Sequence, residues 1–370
     1  MQEQVKITAR QLRNYLVSLY DKDVIIDCVC ELGKKTKEAT KKELKGFGYG
    51  KPYLIEFTTR GKQKKIVLET LRVGSGFGHD HFSDRAQVLI WQHSAFNRLP
   101  RHVRSIDVGA FTKDCELKSV GDCAEFFIVT ELVEGQLYHV DLDRMKETRQ
   151  ITKSDITRCK ALSDYLAKIH SVKKDSTELY VRRIRDLVGH GECIFGLTDS
   201  YPPRLSYINE RDFVEIEKRC VNWRWKLKSK ARRLSQVHGD YHPWNIMFRK
   251  GVDFTLLDRS RGEWGEPADD VSALTVNYVF YSLQAYGKLD GPFERLFSLF
   301  WKNYLDKTGD EEILSVIQPF YAWRGLVVAS PVWYPHLPLD VRKKLFNFIC
   351  GVLEVDRVEL KDINSYFSEK

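Results

Sequence analysis

The sequence predicts an α+β protein in which a small antiparallel sheet is followed by a mostly helical region. Between residues 24 and 72, apolar and β-branched runs alternate with turn residues, which is typical of antiparallel strands. In the second part of the chain, apolar residues recur at helical spacing over long stretches. A chain of 370 residues is long for one domain, so we expect two units that each bury a core.

The first unit is expected to begin with an amphipathic helix at residues 8–20, which carries Leu12 and Leu16 on its apolar face. A helix at 83–97, with Ser83 as its N-cap, is expected to pack on the sheet. The predicted strands of this unit lie at residues 24–32, 52–59, 66–72, 103–108 and 125–130.

The second unit is expected to be built from long helices. His170 lies at the end of the first of them, where we expect it to act as a capping cation and not as a catalyst. The predicted helices lie at residues 154–170, 210–235, 268–286, 292–305, 310–327 and 339–354.

Composition is that of an ordinary globular protein, with 43% hydrophobic and 30% charged residues. No apolar run approaches the roughly 20 residues that span a bilayer, and the N-terminal residues are too polar for a secretory signal. The eight cysteines include no Cys-x-x-Cys pair, so neither a zinc site nor a thioredoxin motif is indicated. Free thiols in a reducing cytoplasm are the expectation.

The net charge of +8 favours anionic partners, of which nucleotide phosphates are one class and nucleic acids another. Much of the surplus lies in two basic runs, residues 34–45 and 60–65, which we interpret as solvated. These runs lack the interleaved aromatic side chains that would stack bases. Nucleic-acid binding is therefore a hypothesis that only the net charge supports.

The most informative stretch is His-Gly-Asp-Tyr-His-Pro-Trp-Asn, which ends at Asn245. Strand-like runs at 246–249 and 254–257 follow it and predict a hairpin with Asp240 and Asn245 at its entrance and Asp258 at its exit. Three oxygen ligands would then converge, which suits Mg²⁺ and phosphoryl transfer. The alternative, two turn aspartates beside an ordinary hairpin, does not explain the spacing of the asparagine.

These residues resemble the catalytic loop of the aminoglycoside phosphotransferase and choline kinase family, which is similar in fold to protein kinases. The family has His-Gly-Asp, Asn at the same spacing, a metal-binding Asp, a Gly-Asp-Pro run and a further Asp. Glu266 replaces the Asp of that run. The corresponding residues here are Asp240, Asn245, Asp258, Gly265, Glu266, Pro267 and Asp270.

The resemblance implies a bilobal protein-kinase-like fold, with an antiparallel β-sheet N-lobe at residues 1–134 and a mostly helical C-lobe at 135–370. It implies an enzyme that transfers the γ-phosphoryl group of ATP or GTP to the hydroxyl of a small molecule. Asp240 would be the catalytic base. Asn245 and Asp258 would hold Mg²⁺, and Asp270 would brace the loop. His238 is expected to shape the loop, whereas the role of His242 stays open between substrate and phosphate.

The same resemblance places adenine at the exit of the strand at 125–130, along Glu131, Leu132 and Val133. The alternative is a buried edge strand that ends at a glycine turn. The glycine-rich segments 46–50 and 74–78 are either covers for the nucleotide phosphates or turns.

One residue departs from the family pattern: Glu69 stands on the third strand where the kinase-like plan has a phosphate-binding lysine. Either Glu69 pairs with Arg85 in a swapped arrangement, or Arg72 or Lys65 reaches the phosphates, or the protein is a pseudokinase with impaired catalysis. We favour a substitute cation, because metal ligands without a phosphate partner would serve no purpose.

Two groups of residues are candidates for contact with the acceptor. Arg259 and Arg261 either contact the acceptor or the transferred phosphoryl group, or pair with neighbouring acids. An aromatic cage for a choline-like cation is the less favoured interpretation of four aromatic residues, because tryptophans at such spacing usually belong to the core. These residues are Trp301, Trp323, Trp333 and Tyr334.

Overall fold

The computed structural model describes residues 8–31, 50–71 and 78–368 of the chain. It divides into two compact units, Met1–Thr130 and Glu131–Lys370. The first contains an antiparallel sheet and the second is mostly helical, so the predicted fold class is confirmed. The lobe boundary at residue 134 stays a prediction. Among the described helices, none is long and apolar enough to cross a membrane.

The sheet of the first unit has three antiparallel strands in the order β1-β2-β3. Residues Arg60 and Gly61 connect β2 and β3, and both have positive φ, at 49° and 66°, which suits the twist of a tight hairpin. Helix α1 and the three strands span Ala9–Leu19 (α1), Ile25–Glu31 (β1), Gly50–Thr59 (β2) and Lys62–Leu71 (β3).

Helix α1 covers one face of this sheet, as its apolar periodicity predicts. Thr8 caps the helix, accepting a hydrogen bond from the backbone N–H of Gln11. Leu12 and Leu16 are fully buried in a small core that also contains Phe57 of β2. The sequence therefore predicts both the helix and the face it buries.

The remainder of the first unit departs from prediction in several places. Helix α2 spans Phe82–Phe96 and its N-cap is His81, so the assignment of Ser83 as the cap is wrong. Two short strands follow, Gly109–Phe111 (β4) and Leu117–Ser119 (β5). The strand predicted at 103–108 does not form, because the backbone of Ser105 is hydrogen bonded to the side chain of Asn97.

The strand predicted at 125–130 is also wrong. These residues have no regular secondary structure, and Phe127 and Ile128 are 90% and 87% exposed. A β-branched and aromatic composition yields a strand only when a neighbouring backbone pairs with it. Among the described residues, no strand pairs with this segment.

The second unit is a helical assembly with short strands between its helices. Its helices span Tyr138–Thr148 (α3), Lys153–His170 (α4), Thr177–Gly189 (α5), Ile194–Ser200 (α6), Glu210–Leu227 (α7), Pro267–Tyr286 (α8), Gly291–Thr308 (α9), Gln318–Ala329 (α10) and Leu339–Glu354 (α11). Its strands are Gln136–Leu137 (β6), Ser235–Gln236 (β7), Ile246–Phe248 (β8), Phe254–Leu256 (β9) and Trp264–Gly265 (β10).

Two helices of this unit differ from their predicted bounds. Helix α7 ends at Leu227, eight residues before the predicted end at 235, and a 3₁₀ turn at Ala231–Arg233 follows it. The helix predicted at 310–327 is divided into a 3₁₀ turn at Glu311–Ser315 and helix α10.

Helix α8 organises the core of the second unit. Pro267 lies in its first turn, where a missing N–H costs nothing, and Gly287 ends it with a left-handed φ of 69°. Sixteen of its residues are buried, and it packs against α3, α9 and α10. Its first turn carries Asp269 and Asp270, so a rigid, buried element holds these two carboxylates.

Candidate active site

The predicted hairpin forms, with β8 and β9 paired in antiparallel register. Gly239 has a φ of 87°, which favours glycine and turns the chain sharply just before Asp240. A 3₁₀ turn then ends at Asn245, and the backbone N–H of Leu257 donates to the Asn245 carbonyl at 2.8 Å. The segments at the entrance and the exit of the hairpin are thereby tied together.

Asp240 and Asn245, separated in sequence by five residues, are in direct contact. The Asn245 Nδ2 donates to the Asp240 carbonyl at 3.1 Å and to Asp240 Oδ2 at 3.3 Å. Because the amide nitrogen is used in this way, the amide oxygen of Asn245 is left as an acceptor. The spacing seen in the sequence therefore brings a carboxylate and an amide oxygen into one site.

Three cationic or hydrogen-bonding groups surround the Asp240 carboxylate. The Arg324 Nη1 donates to Oδ1 at 2.6 Å, the Arg261 Nε lies 3.9 Å from Oδ1, and the His242 Nε2 lies 3.4 Å from Oδ2. Burial by itself would raise the pKa of Asp240, but the His242 hydrogen bond and the charges of Arg324 and Arg261 hold it well below its usual range. Asp240 is therefore ionised at neutral pH.

His242 is oriented by its own loop. Its Nδ1 accepts a hydrogen bond from the backbone N–H of Trp244 at 3.2 Å. The proton is then on Nε2, which points toward Asp240. In the structure His242 contacts the proposed catalytic carboxylate.

Asp258 follows β9 in a left-handed conformation with φ of 48°, which aspartate tolerates better than most residues. Its Oδ1 accepts the backbone N–H of Ser260 at 3.1 Å, and the side chain is exposed to solvent. Asp258 borders a cavity of about 170 Å³. The other residues that line the cavity are Tyr165, Ile169, Gln236, Val237, His238, Leu256, Leu257 and Arg259.

Two side chains of the site have oxygens that could hold a hard cation. Asn245 and Asp258 each offer a side-chain oxygen, the ligand type that Mg²⁺ prefers. In the described ranges, no three His, Cys, Asp or Glu side chains lie together in a group that could hold a metal ion. Mg²⁺ bound through one or two protein ligands completes its shell with waters and substrate phosphates, so two protein oxygens fit it.

Asp270 holds the backbone of the loop that carries Asp240. It is fully buried, and its two oxygens accept the backbone N–H groups of His238 and Gly239, each at 2.7 Å. Burial opposes ionisation, but hydrogen bonds and charge from His170 and the loop keep the pKa of Asp270 below its usual range. The bracing role implied by the family resemblance is therefore present.

His170 is not the helix-capping cation that the sequence suggested. It is buried, with Nε2 at 3.1 Å from Asp270 and Nδ1 at 2.8 Å from the Tyr304 hydroxyl. The capping expectation is wrong because α4 ends inside the core. There the imidazole of His170 pairs with the carboxylate of Asp270 and not with the carbonyl groups of the helix end.

His238 has the loop-shaping role expected of it. Its Nδ1 accepts the backbone N–H of Asp240 at 3.2 Å, and burial lowers its pKa. The neutral imidazole therefore fixes the turn that presents Asp240.

The Gly-Glu-Pro run forms the base of α8. Glu266 is buried as the N-cap of that helix, and its two carboxylate oxygens accept a forked pair of hydrogen bonds from Arg233 at 2.8 and 3.0 Å. The Tyr180 hydroxyl donates to the same carboxylate at 2.8 Å. Glu266 thus has a structural role.

The two arginines after Asp258 have different partners. Arg259 donates to the carbonyl of Val237 at 2.7 Å and to that of Glu263 at 3.3 Å, so it fastens the loop to the backbone. Arg261 instead lies beside Asp240 and 3.6 Å from Glu192. Of the two, Arg261 is the one in contact with the proposed catalytic carboxylate.

The aromatic cage considered from the sequence does not form. Trp301 is buried against Phe297 and Tyr304, whereas Trp333 is 63% exposed. Trp323 lies near the site, but the guanidinium carbons of Arg324 and Arg261 lie 3.8 and 4.7 Å from its ring centroid. Two guanidinium groups of the protein itself therefore contact the Trp323 ring, where a cage would need to bind the cation of a ligand.

Sequence reasoning missed Arg324. It lies on α10, 84 residues after Asp240, and interrupts an otherwise apolar helix. A buried charge in such a helix signals a buried partner, but nothing in the local sequence identifies that partner.

The residues proposed for the nucleotide remain predictions. Glu69 is exposed on β3, and Lys65 donates to Glu56 at 2.6 Å. The Arg85 Nη1 donates to the carbonyls of residues 79–81 at the start of α2. Arg72 and segments 46–49 and 74–77 lie outside the described residues.

Glu131, Leu132 and Val133 form no strand or helix, and the first two are exposed. The alternative of a buried edge strand at this position is therefore wrong. The assignment of adenine to these three residues stays a prediction.

Residues 114–285 match the sequence profile of the phosphotransferase enzyme family. The matched segment includes Asp240, Asn245, Asp258 and Asp270, and the family resemblance drawn from those residues is confirmed. No curated protein matches the chain in sequence.

Solved structures with some likeness include small-molecule kinases. The amicoumacin kinase hAmiN, solved with AMP-PNP, Ca²⁺ and amicoumacin, is 16% identical over 94% of each chain, with a TM-score of 0.41. A glucosamine kinase is 16% identical over 57% of this chain and 60% of its own, with a TM-score of 0.39. An ethanolamine kinase of Plasmodium vivax is 14% identical over 96% of this chain and 83% of its own, with a TM-score of 0.34. The chain thus spans less than two thirds of the glucosamine kinase.

Proposed function

Because residues 114–285 match a phosphotransferase family, we propose that the protein is a small-molecule kinase. It would transfer the γ-phosphoryl group of ATP, or of GTP, to a hydroxyl of its acceptor. The observation that carries this proposal is the ionised Asp240 in contact with Asn245, at the entrance of a hairpin with Asp258 at its exit.

In this reaction Asp240 is the catalytic residue, as the base or as the group that orients the acceptor hydroxyl. The bond between the γ-phosphorus and the oxygen of the departing nucleoside diphosphate breaks as a bond to the acceptor oxygen forms, and the hydroxyl proton is released. Asn245 and Asp258 would hold Mg²⁺, which would neutralise charge on the nucleotide phosphates.

We assign adenine recognition to Glu131, Leu132 and Val133, and phosphate contact to Arg72 or Lys65. Eight free cysteines favour work in the reducing cytoplasm. The second candidate function is a pseudokinase that binds nucleotide without turnover, which the exposed Glu69 at the expected lysine position favours.

The test is a screen of Mg-ATP and Mg-GTP consumption against sugars, amino alcohols, nucleosides and antibiotics. With the acceptor found, Asp240→Asn should lower turnover by about 100-fold or more while leaving nucleotide affinity unchanged. Asp258→Asn should weaken Mg²⁺-dependent nucleotide binding. Asp253→Asn, in the exposed turn of the same hairpin, is the matched control and should behave as wild type.

Consumption by Asp240→Asn at the wild-type rate would remove Asp240 from the mechanism. Thermal stabilisation by Mg-ATP without consumption across the whole panel would favour the pseudokinase instead.

A further inference from the structure

The buried guanidinium of Arg324 makes several polar contacts. It is buried on α10, yet its Nη1 donates to Asp240 Oδ1 at 2.6 Å. Its Nη2 donates to the Gly239 carbonyl at 3.0 Å and to Asp269 Oδ1 at 2.5 Å. Three acceptors thus fix the plane of one guanidinium.

The acceptors come from two different parts of the fold. Gly239 and Asp240 belong to the catalytic loop, whereas Asp269 lies in the first turn of α8. Only a planar fork with several donors spans these positions together, and a lysine ammonium has no such geometry. Arg324 therefore ties the loop to the rigid core through Asp240 itself.

The contacts leave no oxygen of Asp240 without a donor. Oδ1 faces Arg324, and Oδ2 faces the Asn245 amide at 3.3 Å and His242 at 3.4 Å. A carboxylate held in this way retains lone pairs that can orient a hydroxyl.

On the basis of the kinase function proposed above, we propose that Arg324 is a positioning residue for phosphoryl transfer. It holds the Asp240 carboxylate in a fixed position, so that Asp240 can orient the acceptor hydroxyl. The acceptor oxygen bonds to the γ-phosphorus as the bond to the leaving diphosphate breaks. The hydroxyl proton then passes to solvent.

The first test compares Arg324→Met and Arg324→Lys with wild type. Arg342→Lys is the matched control, because Arg342 is also a buried arginine but donates to the carbonyls of Ala329 and Tyr334. We expect Arg324→Met to lower kcat by about 100-fold with the KM for Mg-ATP little changed. Arg324→Lys should be intermediate, and added methylguanidinium should restore part of the activity of Arg324→Met.

A second readout needs no acceptor, so it separates this inference from the proposed function. This readout is hydrogen exchange of the backbone amides of residues 238–245. In Arg324→Met these amides should exchange at least about tenfold faster than in wild type, because the loop has lost its tie to the first turn of α8. Arg342→Lys should leave their exchange rates unchanged.

Unchanged hydrogen exchange of residues 238–245 in a folded Arg324→Met variant would overturn the inference, whether or not the screen finds an acceptor. The inference would also be overturned if the loss of kcat in Arg324→Met matched its loss of folded protein and methylguanidinium restored no activity. If Arg324→Met does not fold, the same criteria apply to Arg324→Lys.

Discussion

Replacing Asp270 by asparagine tests how strongly this carboxylate holds the loop that carries Asp240. In the native protein both oxygens of this buried carboxylate accept backbone N–H groups, from His238 and Gly239 at 2.7 Å each. An asparagine has nearly the same shape but only one acceptor oxygen, and its amide nitrogen would face an N–H donor. One backbone donor of the loop is therefore left buried and unpaired.

The size of the effect follows from these contacts. A hydrogen bond to a charged group contributes about 1.5–3 kcal/mol, and an unpaired buried donor costs about 1–3 kcal/mol. The pairing of the Asp270 carboxylate with His170 at 3.1 Å is lost as well. We expect the free energy of unfolding to fall by about 3–5 kcal/mol, which is a large part of the roughly 5–15 kcal/mol of a typical domain.

Urea unfolding at pH 7, followed by tryptophan fluorescence, measures this loss. Seven of the eight tryptophans lie in residues 131–370, so the signal reports on the unit that contains Asp270. Asp340→Asn is the matched control, because Asp340 is an exposed aspartate in the first turn of α11. A free energy of unfolding for Asp270→Asn within about 1 kcal/mol of that control would refute the reasoning.

Three further predictions concern stability. Hydrogen bonds, of which that from Lys230 is the strongest, lower the pKa of Glu312 to about 2. The ionised carboxylate therefore stabilises the fold above about pH 4.5, and this stabilisation is lost as the pH falls toward 2. The difference in unfolding free energy between wild type and Glu312→Gln should vanish near pH 2. Leu16→Ala should destabilise the first unit by about 2–5 kcal/mol, seen as faster hydrogen exchange in β2. Glu266→Gln should cost about 1–3 kcal/mol in urea unfolding, because Arg233 loses the charge of one buried carboxylate but keeps its hydrogen bonds to Asp310. A loss below about 0.5 kcal/mol would contradict this.

Predictions from the sequence succeeded where a feature is set by neighbouring residues. Helix α1 was predicted together with its buried face, because Leu12 and Leu16 repeat at helical spacing. The β8–β9 hairpin was predicted because its strands and turn are contiguous. The strand expected at 125–130 failed, because its composition describes a suitable strand but cannot supply the partner that a sheet requires.

The sequence by itself determined the loop that carries Asp240. Asp240 and Asn245 precede one hairpin and Asp258 follows it, so their spacing brings the first two into contact and the third to the exit of the same hairpin. Only the tertiary structure decided what surrounds Asp240. Helical periodicity shows that Arg324 lies in a buried helix, but the loop it meets depends on how α8 and α10 pack. Packing between distant segments is a property of the whole chain, and no local pattern encodes it.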